Sequence, residues 1–143
     1  MRRAGTLAVA ITLAAAMTAA PGFAMSGHYR ADMTGEEEVP GPGQAGGRGT
    51  ADIVLDHQAG TLCYTLTYSG IDKPTAAHVH EGAKGVAGPV VVDFELAKNG
   101  DKGCVPVDEA ELKDIEKQPA NHYVNVHNSA YPKGAIRGQL GPG

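Results

Sequence analysis

The 143-residue sequence has no tryptophan, and only 5% of its residues are aromatic. Its 20 glycines and 9 prolines interrupt the chain often, and both residue types favour turns. This composition predicts a turn-rich chain and excludes a bundle of long helices.

The sequence also lacks an apolar run of the roughly 20 residues that a membrane span needs. Its apolar stretch at residues 7–20 follows a short basic start, Arg2-Arg3, and leads into small residues. This order is typical of a secretory signal peptide. We expect residues 1–24 to be removed by cleavage after Ala24. Cleavage after Ala20 and an uncleaved anchor are the alternatives.

The predicted mature chain, residues 25–143, has no excess of basic residues. Removing the leader takes two arginines from the 12 basic residues and leaves 10 against 16 acidic ones. Nucleic acids and anionic lipids attract basic patches, so we expect neither as a partner. The length suits a single domain with one core. We expect it to be secreted or periplasmic, without membrane association.

Cysteine is scarce, with Cys63 and Cys104 as the two examples. An even number of cysteines in an exported chain favours a disulfide. Neither cysteine belongs to a C-x-x-C motif, although metal-binding or redox thiols remain the alternative. We expect a structural cross-link.

Short alternating runs separated by glycine and proline predict β-strands. The clearest alternation, at 61–68, follows the turn 56–60 and predicts a hairpin. One helix is predicted at 108–117, where Asp108 and Glu111 have capping-box spacing. The expected fold is all-β, an antiparallel Greek-key β-sandwich or barrel with this one short helix. The predicted strands are 28–33, which we place at a sheet edge, 50–55, 61–68, 76–80, 89–96, 103–107, 122–127 and 134–140.

One segment, 36–49, is dense in glycine and proline and predicts a long turn or mobile loop. It contains three consecutive acids, Glu36–Glu38. We expect these to be a solvated run of charge.

Six histidines are present, and their spacing suggests a metal site. His78 and His80 are two apart on a predicted strand, so their side chains leave the same face. His127 lies on another strand, and we expect it to point outward, with His122 on the opposite face. Neutral imidazoles suit copper or zinc. Histidines that only organise a surface loop are the alternative.

Met25, His28 and Met33 form a second possible ligand set, because thioether and imidazole together suit Cu(I). An ordinary chain end is the alternative. His122, beside Tyr123, is a further auxiliary ligand, and a homodimer would allow it to join a site shared between two copies.

Arg137 lies in the last predicted strand, between glycines. Its guanidinium is expected to lock a loop by donating to backbone carbonyls. Pairing with Glu81 or with a bound anion is the alternative.

Three motifs in this order resemble the CHRD domain family, whose modules were first noticed in chordin and are common in secreted bacterial proteins. They are AHVHEG at 77–82, YVNVH at 123–127 and AIRGQL at 135–140, and the likeness extends from about Tyr29 to Leu140. The resemblance implies a compact β-sandwich and says little about activity.

A second, weaker resemblance is to copper/zinc superoxide dismutase, which has a similar H-V-H-E run on its copper strand. His78 and His80 would match its first two copper ligands. The chain departs from that family in its short, histidine-free segment 82–88, where the bridging histidine and the zinc ligands are missing. Arg137 matches the region of the catalytic arginine by loose analogy. The resemblance implies a copper site more than it implies dismutation.

These observations give three hypotheses. The first is a secreted or periplasmic protein that binds copper, with zinc as the alternative ion, through His78, His80 and His127 for metal sequestration or handling. The second is a module that binds a protein or a polysaccharide. The third is a reduced superoxide dismutase-like enzyme. We expect binding rather than catalysis.

Overall fold

The computed structural model describes residues 27–143, so the predicted signal peptide and Met25 lie outside the described residues. Two short α-helices and two 3-10 turns, Gly35–Glu37 and Pro119–Asn121, accompany the strands of this part. None of its helices has the length and apolar character needed to cross a membrane. The strands are β1 (Gly27–Thr34), β2 (Arg48–Asp56), β3 (Thr61–Ser69), β4 (Pro74–Glu81), β5 (Val90–Asp93), β6 (Lys102–Pro106), β7 (His122–Asn128) and β8 (Ile136–Pro142), and the helices are α1 (Leu96–Asn99) and α2 (Glu109–Lys117).

The eight described strands form one antiparallel sheet in the order β5-β4-β7-β8-β1-β2-β3-β6, which curls into a nearly closed barrel. The prediction of an antiparallel all-β fold is therefore confirmed. The prediction that the first strand is an edge strand is wrong, because β1 pairs with β2 on one side and β8 on the other. Alternation explains its place, since Ala31 and Met33 are buried in the core while Arg30 and Asp32 face outward.

The segment between β5 and β6 spans the gap between the two edges of the sheet. The Tyr64 hydroxyl on β3 lies 2.9 Å from the carbonyl oxygens of both Phe94 and Gly100 and donates to this pair. The Tyr64 and Phe94 rings stack with their centroids 4.2 Å apart. The strand predicted at 89–96 is shorter than expected, because Glu95 adopts a left-handed conformation (φ 51°) and α1 follows.

The predicted helix at 108–117 is present as α2. Leu112 and Ile115 are fully buried, so the helix packs its apolar face into one end of the barrel. The capping box is not formed, since the side chain of Asp108 makes no capping hydrogen bond. A 3-10 turn that begins at Pro119 follows the helix and leads into β7.

The disulfide predicted between Cys63 and Cys104 is present. The two residues lie opposite each other on β3 and β6, 41 residues apart in sequence. In the chain-entropy model, a loop of this length restricts the unfolded chain by about 4 kcal/mol. The cross-link holds the edge strand β6 in the sheet.

Candidate metal centre

The pairing of β4 with β7 places three histidines on one face of the sheet. His80 lies opposite Tyr123, His78 opposite Asn125, and His127 opposite Ala76. The residues between them, such as Val79, are fully buried in the barrel core. The histidines therefore point outward together, a relation that alternation within each strand does not reveal.

The imidazoles of His78, His80 and His127 converge on one point. Each contributes a ring nitrogen, and these three nitrogens lie within 4.8 Å of one another. The closest pair is His78 Nδ1 and His127 Nε2, 3.1 Å apart. We call these three histidines the outer cluster. Small movements of their side chains would allow all three to bind one ion.

Backbone carbonyls fix the tautomers of two of these rings. His80 Nδ1 donates to the carbonyl oxygen of Gly88 at 2.9 Å, and His127 Nδ1 donates to that of Pro132 at 3.0 Å. A carbonyl oxygen only accepts, so each Nδ1 carries the hydrogen and each neutral ring keeps its lone pair on Nε2. His80 Nε2 is buried and has no hydrogen-bond partner among the described residues. Metal-binding histidines are oriented by partners of this kind.

Burial keeps part of the outer cluster uncharged. It lowers the pKa of His78 to about 4, helped by the nearby His127, while the Asp93 carboxylate acts in the opposite direction. Burial also lowers the pKa of His127, against the hydrogen bond to Pro132. Both rings are therefore neutral at pH 7, the form that binds a metal ion.

Arg137 holds the loop at 82–88, which we call the covering loop and whose Gly88 carbonyl contacts His80 of the outer cluster. Its side chain is 1% exposed, and its guanidinium donates to the carbonyl oxygens of Val86 at 2.8 Å and Ala83 at 3.0 Å. It also lies 3.4 Å from the centre of the Tyr123 ring, which stacks on His80 at 4.8 Å. The contacts of Arg137 match the expected loop-locking role. No ion pair between it and the exposed Glu81 occurs in the part of the chain described here.

Glu38 was missed as part of this site, and the prediction that it belongs to a solvated run is wrong. Its side chain is 4% exposed, and burial raises its pKa to about 7, against the effects of Arg137 and Asn125. The Asn125 carboxamide also lies 3.0 Å from His127 Nε2, so it connects Glu38 to the outer cluster. The loop packs Glu38 against Gly134, where a Cβ would collide with the carboxylate.

The remaining predicted ligands lie elsewhere. Met33 is buried in the core and His28 is exposed on the other face of β1, so one ion could not reach both. This geometry argues against an N-terminal ligand set that includes them. His122 faces the barrel end beneath α2, on the face of β7 opposite His127, which excludes it from the outer cluster.

The model for the family described as CHRD domain matches residues 29–140 of the chain. No curated protein and no solved structure matches it significantly.

Proposed function

The chain belongs to the CHRD domain family, whose members are extracellular binding modules, and from this premise we propose that it binds copper. The proposed ligands are His78, His80 and His127. The proposed role is sequestration or handling of the metal outside the cytoplasm, in the periplasm or after secretion, with zinc as a competing ion. The family and the disulfide are compatible with a secreted protein.

The single observation that carries this proposal is a ring nitrogen that has a lone pair but no hydrogen-bond partner among the described residues. His80 Nε2 is buried without such a partner in the described part of the chain, and the hydrogen bond from His80 Nδ1 to the Gly88 carbonyl keeps the lone pair of the neutral ring on this nitrogen. A buried polar atom without a partner typically costs 1–3 kcal/mol, so a bound cation would remove a cost that the fold otherwise bears. Imidazole ligands suit both copper and zinc, and copper binds more tightly in the usual affinity order.

Binding is favoured over turnover by the position of Arg137. A dismutase would need a free cation beside the metal to attract superoxide. The Arg137 guanidinium is instead buried against Tyr123 and donates to the backbone of the covering loop. It is thus occupied in holding the loop, which gives the enzyme hypothesis little support.

A second candidate function is an interaction module for a protein or a polysaccharide. It is favoured by two exposed valines, Val86 in the covering loop and Val90 at the start of β5, which are 51% and 49% exposed. On this alternative, the histidines only support the loop, and loss of His78 would leave partner binding intact.

The experiment is a titration of the purified protein with copper and zinc, with bound metal counted by elemental analysis after dialysis. We expect one copper per chain bound at the outer cluster of the wild type. A His78→Ala/His80→Ala variant should lose this ion, whereas His28→Ala, an exposed histidine outside the cluster, should retain it. Circular dichroism would establish that each variant is folded. No bound copper in a folded wild type would reject the proposal and leave the interaction module.

A further inference from the structure

A second group of potential ligands lies beneath α2, at the end of the barrel. Glu111 and Asp114 are three residues apart on the helix, so their side chains share a face. They lie beside His122, the first residue of β7, whose side chain is fully buried. We call these three residues the inner cluster.

The distances within the inner cluster are those of ligands rather than of hydrogen bonds. His122 Nε2 lies 3.6 Å from Glu111 Oε1 and 3.6 Å from Asp114 Oδ2. Hydrogen bonds between nitrogen and oxygen usually span about 2.7–3.2 Å. Two atoms bound tetrahedrally to one ion at about 2.1 Å lie about 3.4 Å apart. The spacing therefore leaves room for a small cation between the three side chains.

The polar atoms of the inner cluster are also unsatisfied. His122 Nδ1 donates to the carbonyl oxygen of Gln118 at 2.9 Å, which leaves the lone pair of the neutral ring on Nε2. Both His122 Nε2 and Glu111 Oε1 are buried without a hydrogen-bond partner among the residues described. Buried polar atoms in folded proteins are rarely left in this state. A cation would satisfy both atoms at once.

Negative charge around the inner cluster also favours the binding of a cation. Glu81 lies directly opposite His122 in the pairing of β4 with β7 and adds a third carboxylate nearby. Carboxylates concentrated around one imidazole attract a cation.

We propose that Glu111, Asp114 and His122 bind a divalent cation, with zinc as the ion that best matches one imidazole and two carboxylates. This site is separate from the proposed copper site, because His122 and His127 lie on opposite faces of β7 and the two ligand sets differ in chemistry. Its role is structural. The ion joins α2 to β7 and closes that end of the barrel.

A second histidine, His57, also lies between two carboxylates of α2 and provides a matched control. His57 Nδ1 lies 3.2 Å from Glu109 Oε1, and its Nε2 lies 3.4 Å from Glu116 Oε2. The first of these distances is a hydrogen bond, and the two carboxylates approach different edges of the ring. The pair Glu109 and Glu116 thus carries the same charge as Glu111 and Asp114 without converging on one ring nitrogen.

The test is a zinc titration of metal-free protein by calorimetry, in a His78→Ala/His80→Ala background that removes the proposed copper site. We expect one zinc per chain in this background. Glu111→Gln/Asp114→Asn should weaken its affinity at least tenfold, whereas Glu109→Gln/Glu116→Gln should leave it unchanged. All three substituted glutamates and the aspartate are partly exposed, which favours folding of the variants. Absence of zinc binding, or binding that survives Glu111→Gln/Asp114→Asn, would overturn the proposal.

A second measurement covers the case in which the histidine background does not fold. In the wild type with its histidines intact, zinc should raise the melting temperature and slow hydrogen exchange of the α2 amides. The Glu111→Gln/Asp114→Asn variant should lose the slower exchange of α2, while any zinc bound at the outer cluster persists. Equal protection of α2 by zinc in both proteins would contradict the inner site. Failure of copper binding at the outer cluster would leave this result unaffected.

Discussion

The outer and inner clusters are built from the two faces of one strand, β7, and they differ in almost every chemical respect. The outer cluster has three imidazoles and includes His127, whereas the inner cluster has one imidazole, that of His122, and two carboxylates. Both His127 and His122 donate Nδ1–H to a backbone carbonyl, but only the Nε2 of His122 is unpartnered among the described residues, since His127 Nε2 lies near His78 and Asn125. A hydrogen bond to the backbone thus orients each ring, while the neighbouring strand or helix supplies the other ligands and so decides which ion the cluster suits.

The support behind the two clusters differs as well. The outer cluster is backed by a buried guanidinium and a covering loop, and the inner cluster by the apolar packing of α2. Variants that remove one support should therefore affect one cluster and leave the other intact.

The largest effect is expected for Arg137→Met. This change removes two hydrogen bonds from the buried guanidinium to the carbonyls of Val86 and Ala83, so we expect a loss of about 3–5 kcal/mol in the free energy of unfolding. Urea denaturation measures it. Arg30→Ala is the control, because Arg30 makes exposed ion pairs and should cost less than about 1 kcal/mol. Equal effects of the two changes would contradict the supporting role of Arg137.

The next largest effect concerns the pH dependence of folding stability, which Glu38→Gln should change. The pKa of Glu38 is about 7 in the folded protein and 4.5 ordinarily, so the folded state holds the proton longer. Its contribution to stability is complete below pH 4.5 and is lost as the pH rises to about 7. By linkage, the loss is at most about 3 kcal/mol. Relative to the wild type, Glu38→Gln should gain stability between pH 4.5 and 8, as measured by urea denaturation in the presence of a chelator.

His78 has the opposite effect on the pH dependence of stability, over an overlapping range of pH. Its pKa falls from 6.5 to about 4, so its contribution is complete above pH 6.5 and is lost as the pH falls through 4. The Glu38→Gln variant should therefore become more stable as the pH rises from 4 to 6.5, and a further His78→Asn change should reduce this rise to the smaller share contributed by His127. A flat profile for Glu38→Gln alone would mean that His78 is not buried as described.

The pH dependence of copper affinity should reflect the low pKa of the buried His78 ring. Free histidine competes with protons near pH 6.5, but His78 keeps its metal-binding form down to about pH 4. We expect copper binding to persist, though weaker, at pH 5 and to be lost as the pH falls through about 4. Competition with a chelator of known affinity across pH 4–7 measures this. A profile independent of pH over that range would exclude histidine ligands.

The smallest effect is expected for Tyr123→Phe. The Tyr123 hydroxyl accepts a hydrogen bond from the Gly88 amide at 3.1 Å, and Gly88 in turn orients His80. Loss of the hydroxyl should cost about 1 kcal/mol and weaken copper binding by a few-fold. Zinc binding at the inner cluster should not change, and a change there would show that the two sites are coupled.

Local pattern in the sequence predicted most of the strands and the direction of several side chains. The alternation in β7 correctly placed His127 and His122 on opposite faces, because Val124 and Val126 are apolar and occupy the core. The disulfide followed from the number of cysteines and the expected export, and its position on β3 and β6 agrees with that expectation.

Features that depend on distant parts of the chain were not predictable. The shared face of His78 and His127 depends on the register between β4 and β7, which the sequence of neither strand contains. Glu38 is buried because its loop folds against Gly134, almost a hundred residues later, while its local composition suggests exposure. The pairing of His122 with Glu111 likewise depends on where α2 packs.

The most direct test of the account is pulsed electron paramagnetic resonance of the protein loaded with one Cu(II) per chain, which counts the imidazoles bound to the ion. We expect three imidazoles in the wild type and two in His127→Ala. His122→Asn, if folded, should retain all three. A copper site with one imidazole or none, or a count that His127→Ala leaves unchanged, would contradict the outer cluster as the metal centre.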